Sequence, residues 1–473
     1  MRVPHIAAAM LALPVLAACA NVRPADVRLP VAYEAPLAAA PPAGALALDR
    51  WWTVYGDAEL DALVGQALAR NTDVRIARAR LDEVKAQRLS AILEYVPKGD
   101  ATAQDRRTHT EQISGTLVNI PGFSTSGTSE NRSANFNVSW ELDPFGRALF
   151  AGRAANAEVD QLRYAYEWAR ASVAAQTADA YFQAKGLAIQ LADARETLRI
   201  EQDLYTVATK RAQAGLAATS DADRLAGDLA QAQAQAAALE AQLQVEKRAV
   251  LILAGRVVEP TADLSATPAV GPAPAIPATL PSELLARRPD VRQAQAAVRS
   301  QANQKILDQL AFFPTFTFTP GIGWQKVEQP GFASETRSWT LGGTITQPVL
   351  SIPRLLADLK AQGARTEQAV TNYEKTVQTA FQEAEGALVN LDSDRRRVAA
   401  LADGEARARR GYQATRLGYQ RGLTDLSTTL QAEQSWRAVR AQLTAAQVQA
   451  LRRSVQAFKA IGGGWPAQAY AAK

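Results

Sequence analysis

The chain has little of the chemistry that catalysis or metal binding would need. Its 473 residues include one cysteine and two histidines, too few for a zinc cluster or an internal disulfide bond. There is no P-loop or dinucleotide fingerprint, and Gly122–Gly127 misses the spacing of a nucleophile elbow by one residue. His109 has no evident serine or cysteine partner. We therefore expect no enzyme, no cofactor and no metal site.

Long apolar runs are also missing. No stretch reaches the roughly 18 apolar residues that would indicate a membrane-spanning helix, so any membrane crossing would have to use strands. Aromatic residues make up 7% of the chain, and much of the 47% hydrophobic content is alanine, which buries little area. Close helix contacts along long seams are therefore favoured over a large aliphatic core. The net charge of +5 is spread among both signs, as on solvated helix faces rather than on a nucleic-acid surface.

The N-terminus has the pattern of a secretory signal that ends in a lipidation site. A basic start and an apolar run from Ile6 to Leu16, too short to span a bilayer, lead to Leu16-Ala17-Ala18-Cys19. This stretch resembles a bacterial lipobox, whose cysteine is lipidated and becomes the first mature residue. We predict a lipoprotein signal peptide at 1–18 and lipidation of Cys19; a plain signal peptide with a chance cysteine is the alternative. Ala20 replaces the Asp that commonly retains lipoproteins at the inner membrane, so the outer membrane is expected.

The sequence is an internal duplication. Asn71–Arg75 resembles Arg288–Arg292 at an offset of 217 residues, and Pro97 falls on Pro314 at the same offset. Arg147 then matches Arg354, and Gly215 matches Gly422, at an offset of 207. The change of offset falls between the strands, where a difference in loop length costs little. Each half therefore reads helix, strand, strand, long helix, glycine turn, helix.

These patterns predict the following organisation: an N-terminal extended segment at 19–56, a first repeat at 57–255 with strands at about 99–110 and 132–142, a Pro-rich linker at 256–281, a second repeat at 282–461 with strands at about 315–324 and 338–347, and a tail at 462–473. In the first repeat, one helix is expected from Asp57 to Tyr95. A long helix should follow each strand pair.

The predicted strands alternate between apolar and hydroxyl or amide residues. Phe316, Phe318, Ile322 and Trp324 alternate with threonines and glycines, and Phe136 and Trp140 alternate with asparagines and a serine. Such alternation with aromatic ends resembles the strands of outer-membrane barrels, so these six residues are predicted to face lipid; strands of a soluble sandwich are the alternative. The first strand breaks the pattern with charged residues. Four strands cannot close a barrel, whereas twelve from three chains can.

Taken together and in order, the motifs resemble the TolC-type outer membrane factors, within them the NodT-like lipoprotein branch. The motifs are Trp51-Trp52 with Leu60–Leu63, Ala67–Asp73, Trp140–Arg147, Arg287–Val291 and Gly462–Trp465. The resemblance implies a mainly α fold with a transmembrane β-barrel: a homotrimer whose 12-strand β-barrel continues into a 12-helix periplasmic α-barrel. It also implies an outer membrane exit duct that passively conducts small molecules such as drugs.

The same resemblance implies partners and site residues. The partners are a periplasmic adaptor, an inner-membrane RND-type pump and outer membrane lipid. The turns at Gly215, Leu216 and Gly422 would contact the adaptor at the periplasmic tip. The gate candidates near the second turn are Arg416, Arg421, Leu423 and Asp425. Asp425 is equally a candidate helix cap, and the two roles are compatible.

Two other functions stay open. One is the outer membrane duct of a type I protein secretion system. The other is a periplasmic adaptor lipoprotein, which the duplicated hairpins and the few strands disfavour. The sequence names neither the cargo nor the pump.

Overall fold

The computed structural model describes residues 23–35, 48–111, 113–114, 126–215, 218–277, 281–421 and 423–466. The helices are α1 (Ala58–Arg70), α2 (Thr72–Leu93), α3 (Arg147–Gln213), α4 (Thr219–Leu253), α5 (Leu284–Arg287), α6 (Pro289–Leu310), α7 (Ile352–Gln420) and α8 (Leu426–Ala460). The strands are β1 (Lys98–Thr110), β2 (Gly127–Leu142), β3 (Thr315–Gln329) and β4 (Phe332–Thr346). Cys19, Leu216 and Gly422 lie outside the described residues. Among the helices described, none combines the length and apolar composition that would let it cross a membrane.

The duplication is visible in the element lengths. Both α2 and α6 have 22 residues, and both α4 and α8 have 35. The two long helices have 67 and 69 residues. Each repeat therefore uses the same helices and strands in the same order.

The predicted single helix from Asp57 to Tyr95 is wrong, because the chain breaks it at Asn71. This residue ends α1 with an extended ψ of 138°, and its Oδ1 accepts a bond of 2.8 Å from the Asp73 N–H at the start of α2. Its Nδ2 donates to the Leu253 carbonyl at 3.1 Å. Asn71 thus caps one helix and starts the next, while a tertiary bond holds its side chain.

The four strands form one antiparallel sheet in the order β1-β2-β3-β4. Three of them extend beyond the predicted ranges: β2 begins at Gly127, β3 continues to Gln329, and β4 begins at Phe332. The added residues are mostly polar on both faces. The apolar-polar alternation stops there although the ladder continues.

The chain divides into two compact units. One holds Asp82–Asp160 and Gln295–Thr371 and contains the sheet. The other has an aromatic core in which Trp51 stacks on Phe458 with ring centroids 5.5 Å apart. In this second unit the N-terminal segment packs on α7: Tyr33 stacks on Phe381 at 5.9 Å, and the Ala35 N–H donates to Glu385.

Candidate functional site

The predicted lipid-facing residues lie on one face of the sheet. In the β2–β3 ladder Phe136 is opposite Ile322, and Trp140 is opposite Phe318. Directly opposed residues of an antiparallel pair point to the same side. The other members follow from the alternation along each strand. We call this side the apolar face; it comprises Phe136, Val138, Trp140, Leu142, Phe316, Phe318, Pro320, Ile322, Trp324, Trp339, Leu341 and Ile345.

The apolar face is uncovered in the single chain. Trp339 is 78% exposed, Leu341 67% and Ile322 63%. An apolar patch of this kind on a protein surface marks a contact with lipid or with another chain.

The opposite side carries small polar groups, and we call it the hydroxyl face; it comprises Asn135, Asn137, Ser139, Thr315, Thr317, Thr319, Thr340 and Thr344 with the glycines between them. A Cβ added at Gly321 would lie 2.7 Å from the Asn137 Oδ1, and one at Gly342 would lie 2.7 Å from the Thr319 Oγ1. A Cβ at Gly343, on the apolar face, would meet nothing within 4 Å. On the hydroxyl face, the polar side chains of neighbouring strands therefore occupy the space beside these two glycines.

A band of charges ends the apolar face near the hairpin turns. Arg132 lies 3.5 Å from Asp105, Arg107 lies 3.4 Å from Glu130, and the Trp324 Nε1 donates to Glu335 at 2.9 Å. We call the charged residues of these contacts, together with Lys326, Glu328 and Arg337, the charged collar. It explains why the first strand breaks the alternation: Asp105 and Arg107 of β1 lie opposite Arg132 and Glu130 of β2.

In the second unit, the ends of α3 and α7 carry the candidate tip residues. The chain turns after α3 at Gly215, whose φ of +71° favours glycine. Past α7, Leu423 is 77% exposed and donates its N–H to the Gly418 carbonyl at 2.8 Å. Arg416, Arg421 and Asp425 are exposed as well.

Asp425 caps α8. Its Oδ1 accepts from the Thr428 N–H at 2.6 Å, and its Oδ2 accepts from the Thr428 hydroxyl at 3.1 Å. These bonds hold the pKa of Asp425 below its usual value, because they stabilise the ionised carboxylate. Since the residue is still exposed, a role at the gate remains compatible with the cap.

Sequence reasoning missed two contacts near these helix ends. Arg211, in the last turn of α3, donates from Nη1 to the Tyr419 hydroxyl in the last turn of α7 at 3.0 Å. Deeper in the unit, Arg437 bonds Glu201 at 3.1 Å and also Glu433, and we call these three residues the buried ion cluster. Glu433 and Arg437 are four residues apart on α8, a spacing that the sequence does show. The Arg211–Tyr419 and Arg437–Glu201 contacts instead join different helices, and no local sequence signal could have shown them.

Both carboxylates of the ion cluster are buried, and burial affects the pKa of Glu433. Glu433 is 2% exposed and Glu201 7%. Burial raises the pKa of Glu433, and the charge of Arg437 opposes that shift. Beside the cluster Tyr412 stacks on Trp436 with ring centroids 5.2 Å apart. These contacts tie α3, α7 and α8 together near their ends.

A sheet with one apolar and one hydroxyl face, joined to long paired helices, is typical of a class of outer-membrane channels. Residues 63–256 and 280–463 match the family model of outer membrane efflux proteins. The chain belongs to this family. It is an exit duct of the Gram-negative outer membrane, as the resemblance of its motifs predicted.

Its relatives and structural neighbours agree. The chain is 27% identical over 425 residues to the pyoverdine export outer membrane protein OpmQ of Pseudomonas aeruginosa, covering 88% of this chain and 87% of that one. It is 27% identical over 418 residues to the cation efflux system protein CusC of Escherichia coli, covering 88% of both. The Campylobacter jejuni CmeC outer membrane channel has the same fold, with a TM-score of 0.81 at 21% identity and 94% coverage of both chains. The predicted TolC-type fold is thereby confirmed.

Proposed function

We propose that three copies of the chain form one passive duct, each contributing four of twelve strands. The observation that carries this proposal is the sheet itself: among the described residues β1 and β4 each pair on one side only, and the sheet has one apolar and one hydroxyl face. Unpaired N–H and C=O groups are costly in lipid, so the two edges need partners. Four strands are too few to close, and a second and third copy supply the rest.

In this duct the apolar face contacts lipid and the hydroxyl face lines a water-filled lumen. From Phe316 to Trp324, β3 covers roughly 26 Å along its axis, at about 3.3 Å per residue. After allowance for tilt, this approaches the roughly 25 Å apolar band of outer-membrane barrels. The charged collar then lies in the headgroup region or above it. Lipidated Cys19 adds a second attachment to the outer membrane.

The helix ends form the periplasmic entrance. Arg416, Arg421, Leu423 and Asp425 line the gate. The turns at Gly215, Leu216 and Gly422 contact the periplasmic adaptor of an inner-membrane RND-type pump. The pump supplies the energy, so the duct performs no chemical step and needs no cofactor or metal. Exposed side chains around the second turn support this assignment.

The cargo is a class of small molecules. Relatives are named for pyoverdine export, cation efflux and toluene efflux, the last from Pseudomonas putida, which supports small-molecule efflux over protein secretion. Deletion of the gene should raise the sensitivity of the cells to drugs or solvents and leave their secreted proteins unchanged. Loss of a secreted protein instead would favour the type I secretion duct.

Purification from membranes in mild detergent tests the assembly. Light scattering should give the mass of three chains, and planar bilayers should show ion conductance. A protein with the mass of one chain and no conductance would overturn the proposal.

A further inference from the structure

The duplication places an arginine at the start of each long helix, Arg147 in α3 and Arg354 in α7. Only Arg147 bonds to the other repeat. Arg147 is buried, and its Nη2 donates to the carbonyls of Leu310 and Phe313, both at 2.9 Å. Its Nη1 bonds Glu141 at 3.1 Å. Arg147 thus joins the end of the first strand pair to the turn between α6 and β3 of the second repeat.

Arg354 is the counterpart of Arg147 and has no such acceptors. It lies in the first turn of α7, its side chain is 82% exposed, and its Nε is 3.6 Å from Asp358, a residue of the same helix. A long, exposed arginine next to one such carboxylate gains little stability from the pair. The contact that its twin makes is therefore open in the single chain.

The acceptors that Arg354 would need are already built. The counterparts of Leu310 and Phe313 are Leu93 and Val96, at the turn between α2 and β1. The Val96 N–H donates to the Leu93 carbonyl at 3.3 Å, as the Phe313 N–H does to the Leu310 carbonyl at 3.1 Å.

The neighbouring bonds repeat as well. The Tyr95 N–H donates to the Ile92 carbonyl at 3.4 Å, and the Phe312 N–H donates to the Gln309 carbonyl at 3.3 Å. Both repeats therefore contain the same turn, and the carbonyls of each turn can accept hydrogen bonds from an arginine side chain.

The apolar side chains that pack beside Arg147 also have counterparts in the duplication. Beside Arg147, Phe145 packs on Phe313 with ring centroids 4.9 Å apart. Their counterparts Ile352 and Val96 are 40% and 41% exposed. Leu350, next to Ile352 in this turn, is 95% exposed. Both halves of this second contact thus present uncovered apolar side chains.

One chain cannot close this contact on itself. Arg354 follows β4 and Val96 precedes β1, and these strands are the opposite edges of the sheet. A second copy of the chain, with its β1 beside β4, brings the α2–β1 turn to Arg354. This is the relation that β3 and its preceding turn have to Arg147 within the chain.

We infer that Arg354 donates to the Leu93 and Val96 carbonyls of a neighbouring copy, and that Ile352 packs on Val96 of that copy. The inference rests on the proposed three-chain duct and specifies a contact in it. The interface is head-to-tail, so in a closed ring each copy donates once and accepts once.

Cysteine pairs test the contact in the full-length lipoprotein. The combination Val96→Cys with Ile352→Cys should, on oxidation, give covalent two-chain and three-chain species on non-reducing gels. The matched combination Phe145→Cys with Phe313→Cys should close within one chain and give no larger species. Each single substitution should give none either, which excludes a contribution from Cys19.

Light scattering of the same samples separates this contact from the duct itself. A three-chain mass without cross-linked species in the Val96/Ile352 pair would overturn the contact and leave the duct standing. A one-chain mass would overturn both.

Arg354 itself is tested by the temperature at which the detergent-solubilised oligomer dissociates. We expect this temperature to fall for Arg354→Ala. It should fall less for Arg354→Lys, which keeps the positive charge but lacks the several N–H donors of the planar guanidinium. Asp358→Ala should leave it unchanged, since the pair of Asp358 with Arg354 lies within one helix. An unchanged temperature in Arg354→Ala would overturn the role of the arginine.

Discussion

At the scale of single residues, Thr317 and Phe318 are adjacent in the chain but point to opposite faces of the sheet. Phe318→Arg places a charge on the apolar face and should impair membrane insertion by about 2–4 kcal/mol. Thr317→Arg places the same charge on the hydroxyl face, where it should fold and alter only the conductance. The yield of folded, heat-modifiable protein in outer membranes measures the first effect, and single-channel current measures the second. Equal behaviour of the two variants would show that the faces are assigned wrongly.

Gly342 and Gly343 provide a second adjacent pair on opposite faces. Gly342→Ala brings a Cβ to within 2.7 Å of the Thr319 Oγ1 and should cost about 1–3 kcal/mol, as overpacking does. Gly343→Ala meets open space and should be neutral. Urea unfolding of the purified protein gives both values. Adding Thr319→Ala to Gly342→Ala should recover most of the loss, whereas no recovery would mean that the contact with the Thr319 hydroxyl is not the cause.

These two pairs show what the sequence could predict about the sheet at this scale. Alternation with a period of two gave the faces of Phe318 and Trp140, because the register of β2 against β3 is the same on both sides of the two unpaired positions, 138 and 139. It gave no reason for the glycines, since the crowding at Gly342 comes from the side chain of Thr319 on the neighbouring strand. That these side chains contact lipid stays a prediction.

At the scale of secondary-structure elements, substitutions of Asp425 at the start of α8 distinguish a role as helix cap from a role at the gate. Asp425→Asn keeps a side-chain acceptor for the Thr428 N–H and should leave thermal stability near that of the parent, while Asp425→Ala should lower it. If the charge of Asp425 also acts at the gate, both variants should change conductance. A conductance equal to the parent in Asp425→Asn would restrict Asp425 to its cap.

The same cap predicts a pH dependence. The pKa of Asp425 is lowered in the folded state, so its contribution is present above its unfolded pKa of about 3.8 and is lost as the pH falls through the lower folded value. Asp425→Asn has no such titration. The melting temperature of the parent should therefore fall relative to that of Asp425→Asn only below about pH 4. A shift at neutral pH would require another cause.

The buried ion cluster makes the strongest prediction for the helices. Arg437→Ala leaves Glu201 and Glu433 buried without their cation and should cost about 3–5 kcal/mol. Burial raises the pKa of Glu433, so its protonated form is favoured in the folded state; lowering the pH toward 4.5 should relieve the loss. Thermal unfolding at pH 8 and pH 5 measures this. Arg199→Ala, at an exposed arginine, is the control and should show neither effect.

The helices also show where sequence reasoning stops. It found the long helices and the turn at Gly215 because composition and glycine act locally. It missed the break at Asn71, because the bond from its side chain to the Leu253 carbonyl comes from a residue 182 positions away. It missed the bond between Arg437 and Glu201 for the same reason, since the two residues are 236 positions apart. Long-range partners decide these features, and alanine-rich helices give no pattern that would indicate them.

At the scale of the whole molecule, the duplication explains more than any single motif. It gives the order of elements, and it shows what a single chain leaves incomplete, since the contact that Arg147 makes between the repeats has a counterpart at Arg354 that one chain leaves unmade. This is why family membership could be predicted from motifs in order, while the contacts of Arg147 required the structure.

We predict two independent attachments to the outer membrane, a lipid on Cys19 and the sheet. A single acyl chain binds membranes only marginally, so a closed set of strands should be the stronger anchor. We therefore expect Cys19→Ser, exported with a plain secretory signal in place of residues 1–18, to stay in the membrane after an alkaline carbonate wash. Mass spectrometry should confirm that the lipid is absent.

Adding Phe318→Arg to Cys19→Ser removes both attachments, and most of this protein should appear in the wash. Adding Thr317→Arg instead places the charge on the hydroxyl face and should leave the protein in the membrane, because the strands still insert. Release of Cys19→Ser on its own would show that the lipid carries the attachment. In that case the sheet would lie outside the bilayer, and the apolar face would have to be covered by protein.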